Sequence, residues 1–109
     1  MYKRYKVLQD IINKIKSNII FKETKRRDFC VEGIQYEDII IGECDIELSA
    51  KEKIIFLNFL DSEGKDIWYF DDYKDKSFAI NSWKIKLIAN KNGLYGMNIN
   101  FCEVKLFKV

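Results

Sequence analysis

The sequence predicts an α+β domain, with one N-terminal amphipathic helix packed on a strongly bent antiparallel sheet of about five to seven strands, half-barrel-like in outline. Three observations carry that reading. Over residues 2–20 the apolar side chains recur at spacings of three and four, the period of one helix face. From residue 29 onward they alternate or run together, as strand residues do. The 109 residues are 48% apolar and 15% aromatic, with no Pro and five Gly. That is enough volume for one ordinary core and leaves no linker to divide it, so a single domain over 1–109 is expected, helical at 2–20 and β-rich at 29–109.

The helix places Tyr5, Leu8, Ile11, Ile12, Ile15 and Ile19 on one face and Lys3, Lys6 and Lys14 elsewhere. A helix with a basic back can lie on an anionic membrane. Covering its own domain's sheet is the commoner arrangement and the expected one. Residues 21–27 read as a connecting loop that holds the densest basic cluster, Lys25, Arg26 and Arg27.

Residues 29–35 form the first expected strand, with Gly33 as a possible bulge, and residues 38–48 the second. In the second, Ile40, Gly42, Cys44, Ile46 and Leu48 share one face, while Ile39, Ile41, Glu43, Asp45 and Glu47 take the other. Residues 53–60 are apolar on both faces and read as a central strand covered on both sides. Residues 61–65 supply a hairpin turn, 67–70 its partner strand, and 71–76 a polar loop. A short strand at 77–81 and a longer one at 83–89 follow, the latter with Trp83, Ile85 and Leu87 inward and Lys84 and Lys86 outward. Residues 90–93 end in Asn-Gly, the strongest hairpin signal in the chain. The last strand, 94–109, changes phase: Met97, Ile99 and Phe101 are apolar at odd positions, Cys102, Val104 and Leu106 at even ones. A bulge near residues 101–103 would reconcile the two halves.

The net charge of +2 hides a sharp internal split. Residues 28–50 hold seven acids (Asp28, Glu32, Glu37, Asp38, Glu43, Asp45, Glu47) and no base. The 27 residues before them carry nine bases against Asp10 and Glu23. The simplest physical account is mutual neutralisation, with the basic segment lying over the acidic strands.

Several chemistries lack their residues. There is no His, which removes the commonest general base and the usual partner of Ser or Cys nucleophiles. No nucleophile elbow, phosphate-binding loop or dinucleotide glycine signature is present. Cys30, Cys44 and Cys102 are odd in number and far apart, as expected of reduced, packed thiols in a cytoplasmic protein rather than disulfides or a zinc site. The acids of residues 71–76 lack the alternation and terminal Glu of a calcium loop. Glu103-Val104-Lys105 and Glu63-Gly64-Lys65 match the acid-x-Lys spacing of metal-dependent nucleases, but the first has no Asp after Asp75 to complete a metal site locally, and the second sits in a turn. No apolar run approaches membrane-spanning length. The expectation is a protein without cofactor, metal or catalytic activity.

What remains is binding. An acidic row steers a basic partner, and the expected function is a small inhibitor that occupies a toxin or a nucleic-acid-handling enzyme. An immunity protein, or a phage-encoded inhibitor of a host defence nuclease, would act in this way. The expected contact residues are Glu43, Asp45 and Glu47, with Tyr36, Trp68, Tyr69 and Tyr73 as aromatic anchors, Trp68 suiting a core position equally. The alternative is a nucleic-acid-binding module that uses Lys22, Lys25, Arg26 and Arg27 on phosphates. A third arrangement, a small-ligand pocket inside the curved sheet, has no sequence signature.

Overall fold

The computed structural model describes residues 2–30, 33–62, 67–89 and 92–104. Two helices and five strands follow one another as α1 (Tyr2–Asn18), β1 (Ile20–Cys30), β2 (Gly33–Ser49), α2 (Ala50–Ser62), β3 (Trp68–Phe70), β4 (Tyr73–Leu87) and β5 (Leu94–Val104). The strands form one sheet in the order β1-β2-β5-β4-β3, antiparallel at every junction. The α+β class and the strand count agree with expectation. The strong bend does not: the sheet is neither strongly curled nor closed, and β1 and β3 remain as edges. No helix among the described residues is long and apolar enough to cross a membrane.

Helix α1 forms as its spacing predicts, with Ile11 and Ile15 fully buried and Val7, Leu8 and Ile12 packed against the core. Tyr5, assigned by spacing to the same face, is exposed. The central strand expected at 53–60 is instead helix α2, which carries the chain from β2 across the sheet to the far edge at β3. A short apolar run cannot be told from a buried helix by periodicity alone. Here Ile55, Phe56 and Leu60 are buried, with Leu57 and Phe59 packed beside them, and Ile54 and Asn58 face solvent one turn apart.

What decides for the helix is its first turn. Ser49 and Glu52 form a reciprocal cap: the Ser49 amide donates to Glu52 Oε1 at 2.9 Å, and the Glu52 amide donates to Ser49 Oγ at 3.2 Å. This S-x-x-E box satisfies two amides that the helix itself leaves without partners. Lys14 of α1 reaches the same carboxylate, 3.1 Å from Glu52 Oε2, and donates to the Glu47 carbonyl at 3.3 Å, so both helices are tied to the end of β2. Burial raises the pKa of Glu52, but the Ser49 amide, the Lys14 ammonium and the Ser49 hydroxyl outweigh it, leaving the carboxyl below its ordinary 4.5. A carboxyl depressed in the folded state stabilises above its unfolded pKa, and that stabilisation disappears as pH falls through the lower folded value. Ser49→Ala is expected to cost about 1 kcal/mol in denaturant unfolding. Glu52→Gln should flatten the fall in stability below about pH 4.5; an unchanged acid limb would remove Glu52 from the cap.

Residues 21–27 are not a loop but part of β1, which pairs with β2 from Ile20↔Glu43 to Cys30↔Gly33. Gly33 therefore begins a strand and makes no bulge. The β2–β5 ladder covers only Ile41↔Cys102 to Ser49↔Leu94, so residues 33–40 of β2 pair with β1 alone. The hairpin projects as a two-stranded arm, consistent with a longest dimension of 54 Å. The two strands expected at 77–81 and 83–89 are one strand, β4, which begins inside the expected polar loop at Tyr73 and has its register shift between Ile80 and Ser82.

Strand β5 has no phase slip. Met97, Ile99, Phe101 and Glu103 all point inward, and the pattern looked broken only because the fourth inward residue is charged. The expected Asn-Gly turn closes the β4–β5 hairpin, with Gly93 at φ 69°, a conformation Gly adopts without steric cost, and the Ile88 amide donating to the Leu94 carbonyl at 2.9 Å. Leu87, expected inward, is exposed, while Trp83 and Ile85 pack against the core.

The core lies on the helix-covered face. Its aromatic centre is a chain of edge-on rings: Phe101 meets Trp68 at 5.2 Å and Phe70 at 5.3 Å, Phe70 meets Phe78 at 5.4 Å and Phe21 at 5.2 Å, and Tyr73 closes on Phe21 at 5.0 Å. Such pairs add to the burial of large apolar area.

Candidate functional site

Both helices lie on one side, so strand alternation delivers the other half of every strand to an open face. On β2 this half is Ile41, Glu43, Asp45 and Glu47, all exposed, whereas Ile39, expected on the same face, is buried. Their inward neighbours Cys44, Ile46 and Leu48 are buried, which holds the acidic row in register. Next to it, β5 presents Gly96, Asn98, Asn100 and Cys102, and beyond that β4 presents Ser82, Lys84 and Lys86.

A polar network crosses these strands. Asn98 Nδ2 donates to Glu43 Oε1 at 2.9 Å and to Asp45 Oδ1 at 2.8 Å; Asn100 Nδ2 donates to Asn98 Oδ1 at 3.0 Å and lies 3.4 Å from Ser82 Oγ. At the other end, where Gly96 has no side chain, the face dips into a shallow trough of about 840 Å³. Asp45 and Glu47 form one wall, Lys84 and Lys86 the other, and Ile88 lies against Gly96 on the floor.

The basic cluster does not cover this row. The register sets Lys25 opposite Asp38, Arg26 opposite Glu37 and Arg27 opposite Tyr36, all in the hairpin arm beyond the end of β5. Lys25, Arg26 and Arg27 thus lie along Glu37 and Asp38, whereas Lys22, opposite Ile41, shares the open face and borders a hollow with Glu43 and Asp45. Lys22 and Lys25 are exposed but three positions apart on a strand, hence on opposite faces. The side chains of Arg26, Arg27 and Tyr36 lie outside the described ones.

The aromatic candidates scatter. Trp68 is 6% exposed and stacks in the core; Tyr73 is half-buried between Phe21 and Phe78. Tyr69 is exposed and shares the open face, but β3 is three strands from β2, about 14 Å away.

Glu103 is a charged side chain that sequence reasoning weighed only as half of an acid-x-Lys pair. It is 6% exposed, accepts the Ile40 amide at 3.1 Å and pairs with Lys76 at 3.2 Å. The β2–β5 ladder ends one residue earlier, so this carboxylate takes the backbone donor that the ladder leaves. Lys105, and the whole of Glu63-Gly64-Lys65, lie outside the described residues. Among the described residues no group of three His, Cys, Asp or Glu could hold a metal ion. Burial, and then the Asp45 carboxylate, push the Cys44 thiol up to about 12, which keeps it protonated and unreactive at neutral pH.

The chain matches no protein-family model, and no curated protein shows significant similarity to it.

Proposed function

We propose that this is a small non-enzymatic protein that binds another protein through the open face of its sheet, and that it acts by occupying a basic surface of that partner. The observation that carries the reading is the placement of Glu43, Asp45 and Glu47. They form an exposed row at fixed register on a rigid strand, away from the Lys25–Arg27 segment. An ordered acidic row accelerates encounter with a basic partner. A toxin or a nucleic-acid-handling enzyme, whose cleft attracts phosphate, is the kind of partner this charge suits, as for an immunity protein or a phage-encoded inhibitor. Lys84 and Lys86 across β5 refine the complement, which is basic where it meets β2 and acidic where it meets β4.

The test is capture of the partner from the native host, followed by kinetics. Reversing Glu43, Asp45 and Glu47 to Lys is expected to slow association by about tenfold or more at low ionic strength, with the difference shrinking as salt rises, and to leave the thermal unfolding of the domain close to wild type. Unchanged association kinetics would remove the row from the interface. Binding of DNA or RNA that weakens steeply with salt would instead favour the basic residues of β1.

A further inference from the structure

The charges of the open face have an order that a simple acidic stripe lacks. Reading across the three central strands, Glu47, Gly96 and Lys86 form one row, Asp45, Asn98 and Lys84 the next, and Glu43, Asn100 and Ser82 the third. In the first two rows an acid on β2 is matched by a lysine on β4, at equal distance from β5 and about 10 Å apart. The middle strand presents Gly96, Asn98, Asn100 and Cys102 to this face, none of them a carboxylate or an ammonium. The pattern is antisymmetric about β5.

Such a face is complementary to itself. A two-fold axis laid along β5 carries β2 of one copy over β4 of the other without changing the level along the strands. Glu47 then faces Lys86 of the second copy, Asp45 faces Lys84, and both contacts occur twice, as an isologous interface requires. No like charges of these rows meet, because the strand on the axis is uncharged. Sheets packed face to face lie about 10 Å apart with strands within about 30°, a gap that extended Glu and Lys side chains bridge. The trough over Gly96 leaves room for them. At the level of these rows the face is three strands wide, because β1 begins opposite Glu43 and β3 reaches β4 only at Tyr73 and Phe78; over about 27 Å that is roughly 400 Å² per copy, the size of a weak interface that rests on its charge pairs.

We infer that the open sheet face is a self-association surface, and that two copies of this chain pack sheet to sheet about a two-fold axis along β5, with the acidic row of each on Lys84 and Lys86 of the other. The inference goes beyond the binding role proposed above and uses the same face, so self-association and partner binding compete for Asp45 and Glu47, although neither requires the other. Its test involves this chain only, so failure here leaves heterologous binding standing, and failure to find a partner leaves this dimer standing.

Sedimentation velocity of the full chain at roughly 10–300 µM is expected to show a monomer–dimer equilibrium that weakens as salt rises. One variant combines Asp45→Lys with Glu47→Lys; another combines Lys84→Glu with Lys86→Glu. Each alone puts like charges across the axis and should dimerise at least about tenfold more weakly than wild type. Mixed in equal amounts they should associate one to one, because each then supplies what the other lacks. Circular dichroism establishes that both fold. Should a reversal variant not fold, the neutral pair Glu47→Gln and Lys86→Gln takes its place, and each should weaken the dimer severalfold. A bifunctional thiol reagent should join two copies through Cys102, which lies on the axis, and Cys102→Ser should abolish that product. A monomeric wild type over the whole range, dimers of a folded reversal variant as strong as wild type, or folded variants that ignore each other when mixed would each overturn the inference.

Discussion

Phe101→Ala is expected to lower the stability of the domain by about 3–5 kcal/mol, a large share of the roughly 5–15 kcal/mol that holds a domain of this size together. Phe101 is 1% exposed on the central strand β5 and has ring contacts with both Trp68 and Phe70. Removing it opens a cavity where the sheet centre meets the short edge strand β3, and β3, only three residues long, has little else to hold it. Denaturant unfolding should show a lower midpoint with an unchanged slope. Tyr5→Ala, at a position 74% exposed, is the matched control and should stay within about 0.5 kcal/mol of wild type. A Phe101→Ala cost below about 1 kcal/mol would mean that the aromatic cluster is not the centre of the core.

Glu103→Ala is expected to cost about 2–4 kcal/mol, because it leaves two groups without their partner, the Ile40 amide and the Lys76 ammonium. Glu103→Gln should recover part of the loss, since its carbonyl oxygen can still accept from Ile40 while the charge opposite Lys76 is gone. Lys76 is one-third exposed and can turn to water, so Lys76→Met should cost less than Glu103→Ala. A double-mutant cycle between the two positions separates the ion pair from the backbone contact. If Glu103→Ala behaves like a surface substitution, the carboxylate is not the group that terminates the β2–β5 ladder.

Glu103 also shows where sequence reasoning fails and why. Binary pattern treats a charged residue as outward, so an inward Glu between Phe101 and the chain end looked like a change of phase. The ion pair with Lys76, 27 positions away, is what permits its burial, and no local pattern contains it. The helix at 50–62 failed differently, because its signal was present and local. Ser49-Ala50-Lys51-Glu52 is a capping box followed by helix-forming residues, and it arbitrates a run whose apolar periodicity does not. The strand at 20–30 had a third cause. Six charged residues in eleven resemble a solvated loop, yet an edge strand tolerates that density of charge and is protected by it from pairing with other chains.

The candidate site was legible in part. Alternation along β2 placed Glu43, Asp45 and Glu47 on one face, a strictly local consequence of the two-residue period. The strand order was not legible, and it is strand order that puts Lys84 and Lys86 one strand beyond the acids and Lys25 opposite Asp38. Residue type marks Tyr and Trp as anchors but does not distinguish an exposed Tyr69 from a Trp68 in the core.

The α+β class, helix α1, the turn at Gly93, the face taken by each residue of the central part of β2 and the lack of any His are all properties of the linear chain. Each of these follows from local period, local backbone preference or composition. Which strands are neighbours, where the ladders end and which charges meet are set by the three-dimensional packing. Those depend on contacts between residues far apart in the chain, whose energies no window of neighbouring residues contains.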